Sequence, residues 1–521
     1  MTANVLKKKR RSKRSRSAAA EEKQVLEQLP WKQLQHSGGF TEVATEEQLE
    51  MIHNASMQIL EEVGIDVLND EARRIMIDAG ARLDTKSGTK LFFDRGLIME
   101  KIATVPKEFT LHARNPAHSI KIGDTFVNFG SVGSAPNTNS LDGGRRPGNK
   151  QDYQNFLRLT QHFNIIHFCA GYPVEPVDIH PSVRHLHCLA DCVRLMDKPF
   201  HAYSLGKQRN EDALEIARIG RGISPAELER ETSLFTVINS SSPLRLDDPM
   251  LQGIIEMSSL NQAVILTPFT LAGAMAPVTI AGALAQQNAE ALAGIAFTQM
   301  VRDGSPAVYG GFTSNVDMKS GSPAFGTPEY LRAAQISGQL ARKYNLPFRS
   351  SNVNAANSMD AQSGYESTMA LWGAISGGTN FVMHGAGWME GGLSASFEKF
   401  VMDVDLLQMM AVYLEGVEIT EESLAVAVAA VKDVGPGGHF FGTQHTMDRY
   451  KTAFYAPLIS DWRNFESWQE AGSPDALQKA NHVYKQALEE YQQPDLDIAI
   501  EEELEEFIQK RIAEGGVATD F

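Results

Sequence analysis

Eight short β-rich runs, each followed by a helix-like stretch, constrain the fold of this chain more than any other feature. The runs are "TFVNFG", "IIHFCAGY", "FHAYSLG", "LFTVINSSS", "VILTPFTLAG", "AVYGGF", "FRSSNVN" and "NFVMHGAG". Helical spacing recurs between them over Pro181–Met196, Glu211–Gly222, Gln286–Val301, Pro328–Tyr344 and Ala361–Gly377. Strand starts fall about 30 to 43 residues apart, the room that a parallel crossover with its helix requires. Eight such units predict an α/β chain folded as a (β/α)8 TIM barrel. A doubly wound open sheet is the rival, but no G-x-G-x-x-G follows the first strand and no P-loop is present.

The flanks read differently. Residues 45–80 show helical spacing, with Gly64 and Gly80 where helix C-caps belong. Beyond residue 415 the pattern turns helical and acidic. The expected layout is therefore a disordered basic arm (1–28), an N-terminal helical and β cap (29–125), the barrel (126–415) and a C-terminal helical region packing on it (416–521).

Charge narrows the partners. Lys and Arg total 48 against 64 Asp and Glu, a net of −16, which argues against nucleic acid as a ligand of the folded body. The run "KKKRRSKRSR" at Lys7–Arg16 is the exception, and reads as a solvated arm, or one packing on a neighbouring acidic subunit, before a nucleic-acid tail. No apolar run reaches the roughly 18–20 residues of a membrane span, and no apolar segment follows the basic N-terminus, so a cytoplasmic location is expected. The only cysteines are Cys169, Cys188 and Cys192, which suits a reducing compartment. His185, Cys188 and Cys192 share one helix face at i, i+3 and i+7, a spacing compatible with zinc. Small buried residues on a core stripe explain them as well, and no metal site is expected.

In a barrel, chemistry gathers at the C-terminal strand ends. Those ends hold Tyr172, Tyr203, Tyr309, Phe312, Asn352, Asn354 and the segment His384–Glu390, which includes Trp388. The set is aromatic and neutral-polar and has no lysine, which argues against Schiff-base chemistry. Aromatic faces suit a quaternary ammonium, which cannot donate a hydrogen bond and is held by ring quadrupoles. The loop "GPGGHFFGTQHT" either brings His439 and Phe441 over the mouth or is a structural turn.

Four blocks carry a resemblance: "YGGFTSNVDMKSGSPAFGTPEY", "RSSNVNAANSMDAQSGYES", "MHGAGWMEGGLSASFEKFVMD" and "GPGGHFFGTQHT". They resemble the trimethylamine–corrinoid methyltransferase family, and the likeness runs from about residue 40 to near the end. The resemblance implies a TIM barrel that passes a methyl group from a methylated amine to the Co(I) corrinoid of a separate protein, with no cofactor held tightly by this chain. Archetypal trimethylamine members carry pyrrolysine, whereas "GGTNFVMHGAGW" contains only ordinary residues. Members without pyrrolysine resemble quaternary-amine demethylases, glycine betaine being the best-known substrate. On this reading His384, Glu390 and Asn352 are the candidate catalytic residues. Trp388, Phe312, Tyr309, Tyr172, Tyr203, Asn354, Arg349, Phe441 and His439 are candidates for substrate binding. Arg349 or His384 would anchor the carboxylate; Glu390 would offset the ammonium or cap a loop. A homo-oligomer is expected. The alternatives are a zinc-dependent corrinoid methyltransferase for another methyl donor and a non-catalytic quaternary-amine-binding protein.

Overall fold

The computed structural model describes residues 25–519. The Lys7–Arg16 run lies outside the described residues. Within the expected arm, the backbone of Leu26 donates to Glu490 Oε2 at 3.1 Å and the Gln28 amide bonds His162 and Asn164.

Six parallel strands hydrogen-bond in the order Phe126–Ser131, Phe381–Ala386, Phe348–Ser351, Ala307–Gly310, Ala263–Leu266 and Phe235–Ile238. The short strand Leu34–Gln35 adds antiparallel to the first. The remaining two β-rich runs appear as single parallel bridges, Gly130 to Phe168, Cys169 to Phe200 and His201 to Phe235, which lead from one edge of the sheet back to the other. Backbone bonds from Ser131 to Phe168, from His201 to Cys169 and from Ala202 to Phe235 accompany them, each about 3 Å. Their ladders stay short because Pro199 has no N–H and Gly171 turns the chain at φ +127°. The result is a mixed α/β protein built on a strongly curled parallel sheet.

A helix follows each of the eight segments: Lys150–His162, Pro181–Leu195, Lys207–Arg221, Asp248–Ser259, Ile280–Val301, Pro328–Lys343, Ala361–Ser376 and Phe397–Glu415. Side-chain caps start most of them. Asn149, Asp247, Thr279, Thr327, Asp360 and Ser396 each accept a backbone N–H of the first turn. Asp360 is thus an N-cap.

Strand residues alternate between the two faces of the curl. Val127, Phe129, Val264, Leu266 and Phe348 pack outward against the helices, while Phe168, Phe235, Ile265, Val308 and Phe381 fill the inside. Phe168 stacks on Phe381 at 4.0 Å and meets Phe235 edge-on at 5.6 Å. Gly130 makes this possible, because a Cβ there would lie 2.2 Å from the Phe168 ring. The hairpin Glu108–Leu111/Ile120–Gly123 pushes Leu111, Ile120 and Ile122 into the same cluster, sealing the end where the strands begin. Only the end where the strands finish remains for a site.

The helix Ile498–Ala513 lies on the body through ion pairs of Arg511 with Asp212 and of Arg194 with Glu501 and Glu505. The helix Glu421–Val434 buries Ala430 alone. Among the described residues no helix is long and apolar enough to cross a membrane.

Candidate active site

A cavity of about 150 Å³ sits inside the curl at the strand C-terminal ends. Arg349, the second residue of the strand Phe348–Ser351, points inward to line it. Arg349 is 2% exposed, and neither Nε nor Nη1 has a hydrogen-bond partner among the described residues. Among the described residues no Asp or Glu lines the cavity. Burial pushes its pKa down to about 10, with little compensation from neighbours. An unpaired buried cation costs several kcal/mol.

Aromatic rings stand above Arg349. Phe312 lies against its guanidinium, with 5.1 Å from Cζ to the ring centroid, and packs on Phe269 at 5.1 Å; Tyr203 closes the other side. Phe269 and Phe312 lie past the last residue of their strands and Tyr203 lies past the bridge at His201, whereas Arg349 lies within a strand. The cavity is therefore cationic within the sheet and aromatic at the rim.

His384 also lines the cavity. The ladder between its strand and Phe126–Ser131 shifts register between Val382 and Ala386, and His384 adopts φ +56° at this irregularity. Left-handed backbone at a non-glycine residue costs energy, so surrounding bonds must hold it. Asn352 Nδ2 donates to the Gly385 carbonyl at 2.9 Å, Asn354 Nδ2 donates to the Trp388 carbonyl at 2.7 Å, and Asp403 accepts the Gly387 N–H at 2.9 Å. Asp403 in turn pairs with Lys399, which also donates to Ser367 at 2.9 Å; both charges are buried. Desolvation, then the nearby Arg349 charge, holds His384 neutral, its pKa well below the ordinary histidine range.

The predicted site residues separate into those that line the cavity and those that do not. Arg349, His384, Phe312 and Tyr203 converge on it. Asn352 and Asn354 brace the His384 segment from behind. Trp388 is buried, stacked on His384 at 5.5 Å and edge-on to Phe325 at 5.4 Å, so it backs the imidazole rather than facing the cavity. Trp388→Ala is therefore expected to lower unfolding free energy by about 3–5 kcal/mol, read by urea denaturation. Glu390 pairs with Arg145 at 2.8 Å. Tyr309 is fully buried outside the curl, its hydroxyl donating to Asn288 at 3.0 Å. Tyr172 lines a neighbouring cavity of about 200 Å³. His439 and Phe441 lie 6.3 Å apart on an exposed loop and do not line the site.

His201 was not among the predicted residues. It shares the inward face with Tyr203, two residues on, and that spacing was the available signal. Its Nε2 accepts the Val237 N–H at 3.1 Å, so the ring proton sits on Nδ1. His185 bonds Asp212 at 2.8 Å, and the Cys192 thiol bonds the Tyr153 hydroxyl at 3.2 Å. Among the described residues no group of three or more His, Cys, Asp or Glu forms a metal-binding set.

Comparison with known proteins extends the resemblance carried by the four sequence blocks. The chain is 38% identical to the glycine betaine methyltransferase of Desulfitobacterium hafniense (strain Y51), over 91% of this chain and 98% of that protein. It is 26% identical to the proline betaine:corrinoid methyltransferase of Eubacterium limosum, over 86% and 93% respectively. The crystal structure of the Methanosarcina barkeri monomethylamine methyltransferase (MtmB) shares the fold, with a TM-score of 0.51 at 12% identity over 89% of this chain and 91% of that one. The family described as trimethylamine methyltransferase (MTTB) matches residues 7–516. This chain belongs to that family and is a methyltransferase.

Proposed function

We propose that the protein moves a methyl group from a quaternary amine bearing a carboxylate, glycine betaine foremost, to the Co(I) corrinoid of a separate protein. One observation carries the reading: among the described residues, a buried guanidinium without a counter-ion, packed against aromatic rings, in a cavity lined by no Asp or Glu. A betaine supplies what is missing at both ends. Its carboxylate pairs with Arg349, and its trimethylammonium sits among Phe269, Phe312 and Tyr203, each ring adding roughly 0.5–2 kcal/mol. The methyl groups then face the loops, from where the acceptor approaches. The curl, completed through the bridges at Phe168, Cys169, Phe200 and His201, is on this reading a closed (β/α)8 barrel.

The chemistry fits a pocket with no charged acid or base aimed at nitrogen. Transfer breaks one N–CH3 bond, whose electron pair stays on nitrogen, while the acceptor's pair forms the new bond to carbon. The leaving group is a neutral tertiary amine, so no proton is needed. The protein's task is orientation, which the cation and the rings provide. The acceptor and its carrier are substrates, and we assign this chain no tightly held cofactor and a cytoplasmic location.

The test is incubation with glycine betaine and Co(I) cobalamin, followed by assay for methylcobalamin and dimethylglycine. No methylated cobalamin with any quaternary amine would overturn the proposal. The pH profile adds a second check. Arg349 stays charged until pH approaches about 10, and His384 is neutral throughout the physiological range. KM for glycine betaine should therefore show no inflection near 6.5 and should rise as pH passes about 10.

A further inference from the structure

Tight turns normally carry Gly, Asn, Asp or Ser, yet three turns on the open side of the sheet present large apolar side chains. Leu141 lies in the turn of the hairpin Asn137–Ser140/Gly144–Pro147. Met318 lies between Ser314–Val316 and Pro323–Ala324. Leu393 lies between Trp388–Met389 and Ser394–Ser396. Val278, in the loop before the helix Ile280–Val301, and Tyr365, in the second turn of Ala361–Ser376, join them. All five are between 49% and 70% exposed.

Their order is not scattered. They follow the strands Phe126–Ser131 (Leu141), Phe381–Ala386 (Leu393), Phe348–Ser351 (Tyr365), Ala307–Gly310 (Met318) and Ala263–Leu266 (Val278), which are five consecutive neighbours in the sheet. They therefore form one crescent around the end where the strands finish. Gly273 joins two of its members, since a Cβ there would touch both Met318 Sδ at 3.0 Å and Val278 Cγ2 at 3.8 Å. Single exposed apolar residues are ordinary, whereas a contiguous patch marks an interface.

The cavity dictates what must cover this rim. At about 150 Å³ it is smaller than the usual drug-sized site and has no room for a corrin macrocycle beside a substrate. Methyl transfer nonetheless needs the reacting atoms about 3–3.5 Å apart. The opposite end is sealed by Leu111, Ile120 and Ile122. The macrocycle must lie across the open end, and whatever carries it must touch the turns that surround it. Resting on the function proposed above, we infer that the crescent of Leu141, Leu393, Tyr365, Met318 and Val278 is the docking face for the corrinoid-carrying protein.

The test compares two acceptors, free Co(I) cobalamin and a purified Co(I) corrinoid protein that the wild type methylates. Leu141→Glu, Met318→Glu and their double variant place charge on the rim without entering the core. Transfer to the corrinoid protein should fall about tenfold or more in the double variant, while transfer to free cobalamin stays within about twofold. Undiminished transfer to the protein acceptor overturns the inference. So does an equal loss with both acceptors, which would place the residues in the cavity's own machinery. A fall in particle mass by light scattering in the variants also overturns it, because the rim would then join copies of this chain. If the wild type methylates neither acceptor, the proposed function itself fails, which is a distinct result.

Discussion

Arg349→Met is expected to abolish turnover of glycine betaine while leaving the protein at least as stable as the wild type. Truncating one partner of a desolvated charge pair costs about 2–5 kcal/mol, roughly a 30- to 5,000-fold loss in kcat/KM. In the free protein, however, Arg349 has no such partner. Its guanidinium is buried, with Nε and Nη1 unbonded and its pKa depressed by desolvation. Replacing an uncompensated buried charge by an apolar side chain of similar length removes a penalty rather than a bond. Activity and thermal stability measured on the same preparation decide the matter. A marked loss of stability would mean that Arg349 holds the fold together, and the reading of an anion anchor would fail. Arg349→Lys should not restore activity, because a point charge on a flexible stem cannot reproduce a planar two-pronged donor.

Asp403→Ala should have the opposite signature, a large loss of stability. The residue is buried with Lys399 and accepts the Gly387 N–H. Removing it leaves Lys399 uncompensated in the interior, which costs about 3–5 kcal/mol. Pairing Asp403→Leu with Lys399→Met should recover most of that loss, since neither charge then remains. Turnover should not recover with it. Without Asp403 the Gly387 N–H has no acceptor, and the left-handed turn at His384 loses one of its three side-chain braces. Urea denaturation of the single and double variants, with methyl transfer measured on each, separates the two effects. A single variant within 1 kcal/mol of the wild type would remove the pair from the account.

Much of this architecture was legible before any coordinates. Six of the eight β-rich runs are strands of the curled sheet, the other two meet it through single bridges, and each is followed by a helix. The strand-end rule pointed to Tyr203, Phe312 and His384, and the family resemblance added Arg349. It failed where a side chain near a strand end serves the backbone instead of the cavity. Asn352 and Asn354 looked like substrate donors, yet their amides hold the Gly385 and Trp388 carbonyls. Trp388 read as a substrate-binding residue; Gly392, lacking a side chain, instead lets the indole settle against it, where a Cβ would lie 2.8 Å from the ring.

What the sequence determined by itself is the α/β class of fold and, through the four blocks that carry the resemblance, the family. The fold class follows from periodicity, which a linear string preserves: strand, crossover and helix repeat at a spacing that parallel pairing demands. The tertiary structure decided which side chains face one another. That Arg349 has no counter-ion and that Lys399 reserves Asp403 for Gly387 both depend on distances between residues far apart in sequence. So does the crescent of turn residues, which comes from strands neighbouring in the sheet and not in the chain. Charge compensation and contiguity are properties of space, and only folding creates them.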